Sequence, residues 1–205
     1  MKTNLPDILK TLKLHYINEN HEKLALDAAR MQWPYVTYLE KLIEGEFASR
    51  QDKAVMRRVA QAKFPVRKSI DDFQWTLPTK INKPDILNLF RMKFLENKEN
   101  VIFLGGVGLG KSHIASALGF EACAQGFSVL FATAIDIINT LQAAQRNRSL
   151  RHEILKYCKP QLLIIDELGF MPIDKNGCDL LFQVISARYE QASTVITSNR
   201  PFKNW

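Results

Sequence analysis

Two patterns of apolar residues divide the chain. Up to about residue 68 the apolar positions recur at three- and four-residue spacing: Leu5, Ile8, Leu9 and Leu12, then Leu24, Leu26, Ala28 and Ala29, then Tyr35, Val36, Leu39, Leu42 and Ile43. That is the repeat of one helix face, and it predicts three or four helices with no strand among them. Asn20 is placed to cap the second, and Pro34 to occupy the first turn of the third. A fourth helix is expected over residues 48–63. It should end at the Phe64-Pro65 step, because the residue before a proline is driven out of the helical region.

From residue 85 onward, short apolar runs suited to strands alternate with helical periods. Helices are expected over 85–96, 111–125, 135–146, 150–158 and 177–190, and strands over 101–105, 128–132, 162–166 and 194–198. Strands and helices alternating in this way imply right-handed crossovers, hence a parallel sheet with helices on both faces. The predicted fold class is therefore α/β, preceded by a small all-helical N-terminal domain. Between them, SIDDFQWTLPTKINKP holds two prolines among mixed polar residues and reads as a linker or a wrapping segment. The expected organisation is a helical domain over 1–68, a linker over 69–84 and an α/β domain over 85–205.

Composition adds limits. At 205 residues and 46% hydrophobic, the chain can bury one mid-sized core and a smaller one. No stretch approaches the roughly 18 unbroken apolar residues of a membrane span. The start, MKTNLPDILKTLK, lacks the apolar core of a signal peptide, so no membrane partner and a cytoplasmic location are expected. Cys123, Cys158 and Cys178 are isolated and odd in number, which argues against a disulfide framework. The net charge of +7 admits a polyanionic partner, and its distribution matters more than its total. Arg50, Lys53, Arg57, Arg58, Lys63, Arg67 and Lys68 fall in one stretch with a single acid, Asp52. A second cluster, Arg146, Arg148, Arg151, Lys156 and Lys159, faces only Glu153. Either can be a solvated helix face or a phosphate-binding one.

Three motifs carry chemistry. GGVGLGKS satisfies G-x-x-x-x-G-K-[ST] with Gly105, Gly110, Lys111 and Ser112, between an expected strand and an expected helix. In such a loop, Gly105, Gly106, Val107, Gly108, Leu109 and Gly110 turn backbone N–H groups toward phosphate oxygens, with His113 just inside the helix. Lys111 reaches the terminal phosphates, and the Ser112 hydroxyl can ligate Mg2+. A dinucleotide fingerprint fails on spacing, because Gly106, Gly108 and Gly110 run G-x-G-x-G and a lysine follows. The second motif, QLLIIDELGF, places Asp166 at the carboxyl end of an apolar strand, where open α/β sheets bind ligands. There Asp166 would hold the metal and Glu167 would orient or deprotonate a water. The third, STVITSNR, delivers Ser198 and Asn199 to the same edge, where an amide can reach a γ-phosphate or the attacking water.

GGVGLGKSH, LLIIDELGF and VITSNRPF, in this order behind a helical segment ending AKFPVRKSIDDF, resemble the IstB-like ATP-binding proteins over essentially the whole chain. These are transposition helpers of one class of bacterial insertion sequences, similar to DnaC-type helicase loaders. The resemblance implies a phosphate-loop AAA+ ATPase domain using ATP and Mg2+. It also implies an ATP-dependent oligomer on double-stranded DNA, bound with little sequence preference, and a partner transposase. It gives Gly105, Gly110, Lys111 and Ser112 to the Walker A loop, Asp166 and Glu167 to Walker B, and Asn199 to the sensor-1 position. Arg57, Arg58, Lys63, Arg67 and Lys68 become the expected DNA contacts.

This loop departs from the family in lacking its usual proline, and serine stands where threonine is frequent; both changes keep the phosphate-binding chemistry. AAA+ proteins of this sort continue past sensor 1 with a fifth strand, an arginine finger and a lid. A chain ending at Trp205 is expected to lack them, leaving strand 101–105 as an edge and hydrolysis impaired. Such a finger supplies roughly 10³ to 10⁵ in rate elsewhere, and neither Arg188 nor Arg200 sits where it is expected. Other readings stay open: a replicative helicase loader, a small-metabolite kinase, and a truncated product that binds nucleotide without turning it over.

Overall fold

A computed structural model describes residues 4–76, 81–170 and 172–200 of the chain. It contains α1 (Leu5–Thr11), α2 (His15–Arg30), α3 (Tyr35–Ala62), α4 (Lys83–Leu89), α5 (Lys93–Glu96), β1 (Val101–Leu104), α6 (Lys111–Ala124), β2 (Val129–Thr133), α7 (Ala134–Arg146), α8 (Leu150–Cys158), β3 (Leu162–Leu168), α9 (Lys175–Arg188) and β4 (Ser193–Ser198). The chain forms two compact units, residues 1–56 and 57–205.

In the N-terminal unit, Leu9, Ile17 and Leu42 form the buried centre, flanked by Leu14, Leu24 and Tyr38. Asn4 caps α1 by accepting from the Asp7 N–H at 3.0 Å, with a proline in the first turn. The first residue of α2 is His15, so the expected cap at Asn20 is corrected: Asn20 lies inside the helix and its amide donates back to Tyr16 O. The third and fourth expected helices are one continuous α3. Gly45 lies on α3 where the Tyr16 ring sits so close that an added Cβ would come within 2.0 Å of it. The buried Glu46 ties the unit together, accepting from the Ile17 N–H and from Arg50, which also donates to Lys13 O.

The boundary between the units falls inside α3, earlier than the expected end of the helical domain at residue 68. Its physical reason is packing: Val59, Ala62 and Phe64 belong to the core under the sheet. Helix α3 stops at Ala62, and Lys63 follows with φ at +60°.

Among the described residues, four parallel strands run in the order β1-β4-β3-β2. Strand β3 is buried on both faces, and its residues alternate between two cores. Leu162 and Ile164 pack with Ala115, Leu118 and Ala122 of α6, while Leu163 and Ile165 pack with Ile137, Leu141, Leu180 and Val184 of α7 and α9. Among the described residues β1 pairs with β4 alone, and Ile102 and Leu104 are exposed, as expected of an edge strand.

The expected helix 85–96 breaks into α4 and α5. Met92 adopts φ +57° between them and is buried together with Phe94 and Leu95, so core packing overrides helix continuity. Residues 70–75 wrap rather than link: Ile70, Phe73 and Trp75 pack with Ile81, Ile86 and Ile114. Residues 77–80 of that segment lie outside the described residues.

Arg188 is a buried staple. Its guanidinium donates to the carbonyls of Tyr157, Cys158, Pro160, Gln161 and Ser193 and to the Thr194 hydroxyl, joining the end of α8, the entry to β3 and the start of β4. Burial pulls its pKa down to about 10, partly opposed by the neighbouring Cys158.

Candidate nucleotide site

The carboxyl edge of the sheet gathers the three sequence motifs. Strand β1 leads into the glycine loop, and Gly110 stands at the N-cap of α6 with φ +80°, a conformation that glycine adopts without steric penalty. The Phe73 ring lies against it, and an added Cβ would approach that ring to 2.4 Å. Behind Gly110, Lys111 and Ser112 open the helix, so its unpaired N–H groups and positive dipole end face the loop.

The Ser112 hydroxyl donates to Asp166 Oδ1 at 2.7 Å, joining two motifs that are far apart in sequence. Lys111 donates to Gly106 O at 2.6 Å. Burial holds its ammonium below its ordinary pKa, partly opposed by the Asp166 carboxylate. His113 Nε2 lies 2.7 Å from Ser69 O, and because a carbonyl only accepts, that nitrogen carries the proton. The imidazole also meets Phe73 edge-on at 5.4 Å, tying the loop helix to the wrapping segment.

Asp166 is buried and Glu167 beside it is exposed. The register of β3 on β4 steps from Ile165↔Ile196 to Leu168↔Ser198. One extra residue on β3 therefore makes a β-bulge in which Asp166 and Glu167 stand against Thr197. Glu167 takes φ +60°. The Thr197 hydroxyl, itself buried, accepts from the Glu167 N–H at 3.0 Å and donates to Asp166 Oδ1 at 2.5 Å.

At the end of β4, Ser198 is fully engaged locally, donating to Leu168 O at 2.7 Å and accepting from the Arg200 N–H at 3.1 Å. Asn199 differs: its Oδ1 is buried without a hydrogen-bond partner among the described residues. Together Gly108, Gly110, Lys111, Ser112, Glu167, Thr197 and Asn199 line a cavity of about 310 Å³. The Ser112 hydroxyl and Lys111 ammonium of this lining suit a polyphosphate, and the Asp166 carboxylate bonded to Ser112 suits a hard cation beside it.

The structure thus brings Gly105 to His113, Asp166, Glu167 and Asn199 to one edge. Thr197 and Phe73 escaped the sequence reading. A hydroxyl residue inside an apolar strand, next to an Asp-terminated strand, is the signal that would have found Thr197. The expected DNA contacts lie elsewhere. Arg57, Lys63, Arg67 and Lys68 are exposed, whereas Arg58 is half-buried and donates to Cys123 O at the end of α6. Lys63 also lines a neighbouring cavity of about 600 Å³ with Glu153, Asp166 and Glu167. Pro201 and Phe202 of the last motif lie outside the described residues. No described helix is long and apolar enough to cross a membrane.

Comparison with known proteins points the same way. The family described as IstB-like ATP binding protein matches residues 7–205. The chain is similar to the insertion sequence IS5376 ATP-binding protein of Geobacillus stearothermophilus, 35% identical over 100% of this chain and 82% of the relative. Two solved structures share the fold: AMPPCP-bound DnaA from Aquifex aeolicus, at TM-score 0.58, 19% identity and coverage of 67% of this chain and 43% of that one; and the DnaC helicase loader, at TM-score 0.55, 22% identity and coverage of 65% and 77%. The expected AAA+ class of α/β fold is the one these neighbours have.

Proposed function

Because this chain belongs to the IstB-like ATP-binding protein family, we propose that it binds and hydrolyses ATP with Mg2+ at the carboxyl edge of the sheet. In this reading it is an insertion-sequence helper that self-associates on double-stranded DNA and regulates a partner transposase. The observation that carries the nucleotide part is the 2.7 Å contact between Ser112 and Asp166, which unites the phosphate loop with the strand-end carboxylate.

Each residue has a physical role here. Gly105 to Gly110 and the first N–H groups of α6 cradle the phosphates. Lys111 exchanges its bond to Gly106 O for a terminal phosphate oxygen. Ser112 and Asp166 would hold the Mg2+, which neutralises phosphate charge when bound. Glu167 presents an exposed carboxylate to orient and deprotonate a water, and the Asn199 amide, whose buried Oδ1 has no partner among the described residues, would reach that water or the terminal phosphate once its side chain turns to the cavity.

The DNA part rests on charge. Arg57, Lys63, Arg67 and Lys68 are exposed basic groups near the end of α3, suited to backbone phosphates and hence to sequence-independent binding. The test is phosphate release from ATP with and without duplex DNA of unrelated sequences, alongside capture of a transposase against a hexameric helicase. DNA-stimulated release and transposase capture are expected. Capture of the helicase instead would turn the reading to a loader, and absent nucleotide binding would remove it altogether.

A further inference from the structure

We infer that Thr197 is a positioning residue of the nucleotide site, setting the Asp166 carboxylate and the Glu167 backbone through one buried hydroxyl. The inference rests on the nucleotide reading above and gives a role to a residue that lies within STVITSNR but to which the motif assigned none.

The bulge creates the need. In a regular parallel ladder β3 directs the backbone groups of alternate residues to β4 and of the others to β2, but the register step between Ile165 and Leu168 leaves two residues facing Thr197. The inserted residue of a bulge loses its ladder partner. Here the Glu167 N–H donates instead to Thr197 Oγ1 at 3.0 Å. An N–H has no other choice than to donate, so the Thr197 proton is free for a different acceptor, and it goes to Asp166 Oδ1. The polarity of the hydroxyl is thereby fixed, with Asp166 Oδ1 as its acceptor. Thr197 is only 1% exposed, so its hydroxyl is held inside the fold at the edge of the cavity.

Two consequences follow for the site. Asp166 Oδ1 is clamped between the hydroxyls of Ser112 and Thr197, at 2.7 and 2.5 Å, which fixes the carboxylate toward the phosphate loop. Glu167, in the left-handed conformation at φ +60°, is held with its carboxylate exposed at the same edge. Thr197 touches neither phosphate nor water in this reading; it acts through Asp166 and Glu167. Outer partners of metal-holding carboxylates have large effects of this indirect kind.

The test compares wild type, Thr197→Val and Thr197→Ser by titration with a fluorescent ATP analogue in EDTA and across a Mg2+ series, then by steady-state hydrolysis. T197V keeps the shape and loses both hydrogen bonds, while T197S keeps the hydroxyl. The expected result for T197V is unchanged affinity in EDTA, a Mg2+ half-saturation raised roughly 10- to 100-fold, and a lower kcat at little-changed KM. T197S should lie within about threefold of wild type, given that it retains both bonds. A T197V protein with wild-type Mg2+ dependence overturns the inference, as does a T197S protein as defective as T197V. Should T197V fail to fold, Thr197→Ala is read by the same Mg2+ series. A wild type without Mg2+-dependent nucleotide binding would sink the nucleotide reading and this inference together, whereas a wild type that has it, beside a T197V that keeps it, sinks this inference alone.

Discussion

Ser112, in the first turn of α6, and Asp166, near the end of β3, share a 2.7 Å hydrogen bond at the carboxyl edge of the sheet. The hydroxyl and carboxylate converge because β3 lies inside the sheet, two strands from β1, and both strands deliver their ends to one edge. The pair is expected to act as a unit toward Mg2+. Ser112→Ala should leave nucleotide affinity in EDTA nearly unchanged while removing roughly tenfold or more of the Mg2+-dependent gain, as loss of a ligand-shell partner does elsewhere. Titration with a fluorescent ATP analogue at varied Mg2+ measures this, and equal losses with and without Mg2+ would contradict it.

Glu167 and Asn199 should separate binding from turnover. With Glu167→Gln the water loses its base, so hydrolysis should fall by about 10² to 10⁴ at near-normal nucleotide affinity. Asn199→Ala removes the unpaired buried oxygen and should lower kcat with little change in KM. Single-turnover phosphate release beside equilibrium nucleotide binding resolves the two effects; a parallel fall in affinity would speak against the assignments.

The basic residues at the end of α3 divide by their surroundings. Neutralising Arg57, Lys63, Arg67 and Lys68 should weaken binding to all duplexes alike and lower the slope of log affinity against log salt by about 0.9 for each DNA phosphate no longer neutralised. Arg58→Gln is expected to act chiefly on stability, because Arg58 is half-buried and bonded to Cys123 O. Salt-dependent binding curves on unrelated duplexes, with thermal melts of each variant, decide the matter. Discrimination between sequences would count against backbone-directed binding.

Arg188 is predicted to be structural. Removing its guanidinium by Arg188→Ala leaves several buried carbonyls and the Thr194 hydroxyl without their donor, each buried group so left costing about 1–3 kcal/mol. Arg188→Lys should recover little, since an ammonium cannot span acceptors on α8, ahead of β3 and on β4 together. Chemical denaturation of the two variants provides the check, and a change under about 1 kcal/mol would refute the role.

In the N-terminal unit, pH should act through Glu46. Burial pushes its carboxyl up, but the bonds from Arg50 and the Ile17 N–H, with the Arg50 charge, outweigh burial and set it below its ordinary value of 4.5. A carboxyl lowered on folding stabilises fully above the unfolded value, and that contribution disappears as pH falls through the lower folded value. Glu46→Gln keeps an acceptor for Ile17 but carries no charge. Wild type should therefore be the more stable protein near neutrality and should lose that advantage below about pH 4.5. Circular dichroism melts of both proteins across that window supply the measurement.

Local pattern was enough to identify most helices and strands, the parallel sense of the sheet, and the positions of the phosphate loop and the Asp166-Glu167 pair. Period and spacing encode these locally: the 3.6 repeat selects a helix face, and a short apolar run selects a strand buried twice. Other features follow from tertiary packing alone. The continuity of α3 across its expected break and the turn at Met92 between α4 and α5 depend on what each segment buries. The burial of Arg188 depends on three elements arriving together. Thr197 is the sharpest case, because a threonine in a strand has no evident role until the β3–β4 register places it against a bulge. Register is set by long-range packing of two faces, and no local pattern contains it.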